Sequence, residues 1–87
     1  IHILAAGQET VSRRFASGEP AERFAGVGHG RAANGAARLD GVLAHLECRV
    51  EALHPGGDHT IVVGRVEHAE AQEARPLLYY RSGYATL

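Results

Sequence analysis

Between Val42 and Ala52 the apolar residues other than Leu43 fall on even positions (Val42, Ala44, Leu46, Cys48, Val50, Ala52), while His45, Glu47, Arg49 and Glu51 occupy odd ones. Strict period 2 predicts a strand buried on one face. A second strand opens at His59 with the β-branched run Thr60-Ile61-Val62-Val63 and continues through Gly64-Arg65-Val66-Glu67. Near the turn it is expected to be buried on both faces, and farther along on one. Pro55-Gly56-Gly57 suits a three-residue hairpin loop, because proline presets the first turn dihedral and glycine accepts the left-handed conformation. With His54 facing Asp58, the expected pairs are Val50 with Val62, Leu46 with Val66, Glu47 with Arg65 and His45 with Glu67. This register sets apolar against apolar and acid against base. The turn brings Asp58 and His59 to one end of a rigid ribbon, where polar side chains can be held without disturbing a core.

Before the hairpin, Ile1 to Ala5 predicts a short strand. Gln8 to Ser17 follows as a helix, with Gly7 as its cap and Val11 and Phe15 on one face. Gly18 stops that helix and Pro20 cannot continue it, although Pro20 to Phe24 can form a further short turn. Arg13 and Arg14 lie in the helix's last turns, where its dipole favours cations. From Gly26 to Gly41 the small, glycine-rich sequence shows no periodicity and predicts a loop of roughly 15 residues. Ala69 to Ala74 reads as polar linker, and Leu77-Leu78-Tyr79-Tyr80 then leads through Gly83-Tyr84 to the end. Three or four strands with one or two short helices give a mainly β, antiparallel fold with a helix packed outside. Either further chain or a second copy is expected to complete the sheet.

Composition narrows the function classes. At 87 residues the chain is at most one small domain, and such a domain buries only roughly 60 to 65% of its unfolded surface. The net charge of −1 and pI of about 6.6 point to neither a nucleic-acid surface nor an anionic membrane. All nine basic residues are arginine. No apolar run approaches the roughly 20 residues of a membrane span and no charged leader precedes the first strand, so a cytoplasmic setting is expected. Cys48 is the one cysteine and sits on the apolar strand face, where a small packing thiol is expected. The chain opens inside an apolar strand pattern, Ile1-His2-Ile3-Leu4, and reads as the later part of a longer fold.

Several motifs then arrive in order: SRRFAS on the helix, Arg23-Phe24-Ala25-Gly26-Val27, Leu39-Asp40-Gly41 before LECRV, GDHTIVVGRV, and PLLYYRSGY. Together they resemble the flavin reductase-like domain, the FMN-binding split β-barrel of short-chain NAD(P)H:flavin oxidoreductases. The likeness covers nearly all of residues 1–87 and about the C-terminal half of the family's domain. It implies a single, partial split-barrel domain that binds FMN (or FAD) and uses NADH or NADPH. It also implies a homodimer and an oxygenase component that receives the reduced flavin. Residue by residue, it implies that Ser12, Arg13 and Arg14 lie near the flavin phosphate. Asp58 and His59 fall at the flavin ring and nicotinamide side, with His59 as the catalytic candidate. Tyr79, Arg81 and Tyr84 are implied at the cofactor edge or the dimer seam. The chemistry suits those residues: guanidinium forks and a hydroxyl donor match a phosphate, and hydride transfer between stacked rings needs positioning more than an acid or base. The chain departs from the family pattern at His2 for asparagine, His45 for tryptophan, Ala37 for proline, and in the shifted ending Arg81-Ser82-Gly83-Tyr84.

Other functions have less behind them. A non-catalytic flavin-binding or dimerisation module of the same fold is the alternative. Six histidines invite a metal, but there is no Cys-x-x-Cys and no His-x-x-x-His on a helix, so no metal site is expected. His54 and His59, flanking one turn, are the only pair placed to share an ion. Ser12, Ser17 and Ser82 lack a nucleophile elbow, and the acids are too scattered for paired-carboxylate hydrolysis.

Overall fold

The computed structural model describes residues 1–87. In chain order it contains β1 (His2–Ile3), α1 (Glu9–Ser17), a single 3-10 turn (Pro20–Glu22), β2 (His29–Arg31), β3 (Ala37–Leu39), β4 (Ala44–Gly56), β5 (His59–Ala71), β6 (Leu78–Tyr80) and β7 (Gly83–Ala85). The main sheet has the order β1-β4-β5, while β2-β3 and β6-β7 are separate antiparallel pairs. The mainly β, antiparallel expectation with one α-helix therefore holds.

The long hairpin forms, but its register is not the one anticipated. Gly56 pairs with His59, so only Gly57 and Asp58 make the loop. Gly57 takes a φ of 68°, the left-handed geometry that a two-residue hairpin loop demands of its first central residue. Two irregularities then shift the pairing, one between Val50 and Ala52 and one between Glu47 and Cys48. As a result Val50 faces Gly64 rather than Val62, Arg49 faces Arg65, Glu47 faces His68 and His45 faces Glu70. Each bulge leaves one residue without an opposite number, Glu51 on β4 and Glu67 on β5, and slides every pair beyond it by one. Gly64 permits a close approach of the two strands: a Cβ there would stand 3.1 Å from the Cβ of Cys48.

Burial also departs from the expected pattern. The odd-numbered polar residues His45 and Glu47 are buried, whereas Ala44, Leu46 and Cys48 are only half-buried. All of β5 is exposed, including the turn-proximal stretch expected to be covered on both faces, with Ile61, Val62 and Val63 open to solvent. Nothing else in this chain packs along the outer arm, so its apolar residues have no partner there. The buried apolar residues are instead Ala32, Leu39 and Val42, the last two lining one cavity with His45 at the hairpin's base.

The segment expected to be loop, 26–41, contains the β2-β3 hairpin. Its strands are three residues each, too short to show a period, and the pairing is a backbone matter. Ala32 donates to Ala36, Gly35 donates to Ala32, and the Asn34 side chain accepts from the Ala36 amide. Likewise Ala69–Ala71, expected to be linker, extends β5, and Gln72 then donates from its backbone to Leu43 and from its side chain to Val42. The helix begins one residue late, capped by Gln8 instead of Gly7. Gln8 accepts from the Ala5 amide and donates to the Asp40 carbonyl, tying the helix start to both neighbouring segments.

Candidate functional site

Four of the residues singled out from the sequence come together where α1 meets β6-β7. The Ser12 and Tyr84 hydroxyls are 2.8 Å apart. The Arg13 guanidinium carbon lies 4.8 Å from the centre of the Tyr84 ring, and Tyr79 packs against Tyr84 at 5.1 Å between centroids. Helical spacing explains the first contact, since Ser12 and Arg13 are successive residues and straddle one ring from adjacent directions. Arg13 also donates to Glu9 one turn earlier at 2.7 Å, which raises its already high pKa and fixes its stem. The β6-β7 turn holds Arg81 and Ser82 at φ of 51° and 63°. Left-handed conformations at two successive non-glycine residues are the signature of a tight two-residue hairpin loop, adopted at a cost in backbone strain.

Arg14 and Arg81 are exposed and make no ion pair or side-chain hydrogen bond within the chain. Arg14 reaches toward Gly26 on the helix side, while Arg81 follows the exposed Tyr79 and Tyr80 in the β6-β7 turn; free guanidiniums and tyrosine faces suit a ligand that is anionic at one end and planar at the other. A cavity of about 300 Å³ adjoins Ser12 and is walled by His2, Leu4, Val11, Phe15, Phe24 and Leu39.

His59 lies elsewhere. It stands at the hairpin tip with 82% of its side chain exposed, its Nδ1 bonded to the Asp58 carboxylate. No hydrogen bond or ring contact joins that pair to the helix cluster. Within one copy of this chain, the residues expected around a single cofactor form two separate groups.

A third group escaped the sequence reading. His54 and His59, the one pair that the sequence places to share an ion, lie opposite Ile61 and Gly56, while the histidines that gather around a carboxylate are His45 and His68. Glu47 Oε2 is 3.1 Å from His45 Nε2 and 3.9 Å from His68 Nε2, and His68 Nε2 is 2.9 Å from Glu70 Oε1. Glu70 chiefly, with Glu47 adding, raises the His68 pKa, and His68 in turn lowers that of Glu70; Arg38 works against the rise in His68. The signal was present as two His-x-Glu triplets, His45-Leu46-Glu47 and His68-Ala69-Glu70. Period 2 puts each pair on one face, but only the true register sets the triplets side by side.

The Flavin reductase like domain model matches residues 1–87. The chain belongs to that family. Its relatives include the reductase component of 4-hydroxyphenylacetate 3-monooxygenase from Thermus thermophilus, 47% identical over an alignment of 88 positions that covers 100% of this chain and 53% of that protein. Another is the flavin-dependent monooxygenase reductase subunit HsaB from Rhodococcus jostii, 41% identical over 97% of this chain and 43% of that protein. Among solved structures, the NADH:FAD oxidoreductase SgcE6 of Streptomyces globisporus, in complex with NAD and FAD fragments, superposes with a TM-score of 0.88 at 34% identity. It covers 97% of this chain and 52% of its own. The flavin reductase-like chain thus spans about half the length of the relatives it matches, and its fold is that of the split barrel. No helix is long and apolar enough to cross a membrane.

Proposed function

We propose that this chain is part of an NAD(P)H-dependent flavin reductase that supplies reduced flavin to a partner flavin-dependent monooxygenase. The observation that carries the reading is the Ser12-Arg13-Tyr79-Tyr84 cluster, with the unpaired Arg14 next along the helix and Arg81 in the β6-β7 turn. When bound, FMN or FAD supplies the redox chemistry, accepting hydride from NADH or NADPH. Arg13 and Arg14 hold the flavin's phosphate by charge-assisted hydrogen bonds, and Ser12 contributes a hydroxyl. Tyr84 keeps Ser12 and Arg13 aligned, while Tyr79 and Arg81 border the cofactor. His59, oriented by Asp58, acts at the nicotinamide side. The exposed apolar arm that carries His59 outward supports a homodimer, in which a second copy covers it. The single unpaired cysteine is in keeping with a cytoplasmic setting.

The same exposed arm favours a second reading, a non-catalytic flavin-binding or dimerisation module. Oxidation of NADH and of NADPH by the full-length protein, followed with FMN and with FAD, separates the two. Turnover with at least one nucleotide pair is expected. Flavin binding without nicotinamide oxidation would leave only the module.

A further inference from the structure

The buried base of the long hairpin is unusual in chemistry. His45 and Glu47 retain 9% side-chain exposure each, and a carboxylate withdrawn from water needs strong compensation. Glu47 has an imidazole on either side, one from its own strand and one from the strand opposite. We propose that His45, Glu47 and His68, with Glu70 as an outer fourth donor, form a binding site for a divalent transition-metal ion, Zn²⁺ being the best match.

The donor set and its charge fit such an ion. Two neutral imidazoles and two carboxylates cancel the charge of a divalent cation, which suits a partly dehydrated position. Nitrogen donors select zinc over magnesium or calcium. The ligand atoms of His45, Glu47 and His68 already lie within 4.8 Å of one another. Tetrahedral zinc with bonds of about 2.0 to 2.2 Å needs donor separations of about 3.3 to 3.6 Å. The closing movement falls to His68, whose side chain is 52% exposed. His68 Nε2 then exchanges its hydrogen bond to Glu70 for the metal, and Glu70 becomes the donor on the open side.

Entry is available through an adjoining cavity of about 270 Å³, which both His45 and Glu70 line. Arg38 lines it too and is the one cation that opposes the ion. The irregularity between Glu47 and Cys48 is what aims the two strands' donors at one point. A bound ion would therefore clasp β4 to β5 at the hairpin's base, away from the helix cluster and from His59.

The test is isothermal titration of chelator-treated, full-length protein with zinc chloride, repeated with magnesium chloride. One zinc per chain and no response to magnesium are expected. His68→Ala, an exposed position that leaves the fold intact, should weaken zinc binding by about tenfold or more, and His54→Ala should leave it unchanged. His45→Ala is a second probe at the buried end. Zinc affinity unaltered by His68→Ala, or no zinc binding up to about 1 mM, would overturn the site.

Discussion

One pair of strands behaves oppositely at its two ends. At the base, polar side chains are buried: His45 and Glu47 lie beside His68, on the stretch of β4 that pairs with β1. Along the arm, apolar side chains are bare, with Val50, Leu53 and Ile61 each more than half exposed. Polarity alone does not choose the inside of a strand; what covers each face does. The base has neighbours in this chain, while the arm has none and presents a run of exposed apolar side chains of the kind that other protein normally covers.

The contrast can be broken at its strongest point first. Leu39 is 8% exposed and belongs to the small core under the base, so Leu39→Ala should cost about 2 to 5 kcal/mol in urea unfolding. Glu47→Ala should follow with about 1 to 3 kcal/mol, because it strips a buried imidazole of its acceptor. A destabilisation within experimental error would mean that the base is not the folded anchor of the hairpin. Leu53→Asp, on the arm, should leave secondary structure by circular dichroism unchanged yet shift the protein to a smaller species in sedimentation. An unchanged sedimentation coefficient would show that the arm's apolar face is not an assembly surface. The smallest effect is expected for Arg49→Ala. The Arg49-Glu67 pair is close at 2.8 Å but well exposed, and surface pairs contribute about 0 to 1 kcal/mol.

Much of the architecture could be read before any coordinates. The alternation from Val42 to Val50 located β4, the β-branched run located β5, and Gly18 with Pro20 marked the end of α1. The ordered motifs were enough to indicate the family. Register was not legible, because it depends on a loop of two residues instead of three and on two bulges, and none of these leaves a mark in hydrophobicity. The β2-β3 hairpin was hidden for a related reason: strands of three residues held by backbone bonds need no pattern of side chains. The inward face of β4 was misassigned since alternation reveals that two faces differ, not which one has a neighbour. The Ser12-Tyr84 contact, spanning 72 positions, was approached only through the family likeness. The His45-Glu47-His68 group required the register itself.

The most direct measurement of the central claim is a flavin-binding and turnover comparison on the full-length protein with two variants, Arg13→Ala/Arg14→Ala and His59→Ala. The double variant should weaken flavin binding by about tenfold, equivalent to about 1.4 kcal/mol, while His59→Ala should bind flavin normally and oxidise NADH or NADPH more slowly. Parental flavin affinity in the first together with parental turnover in the second would contradict the assignment of both groups.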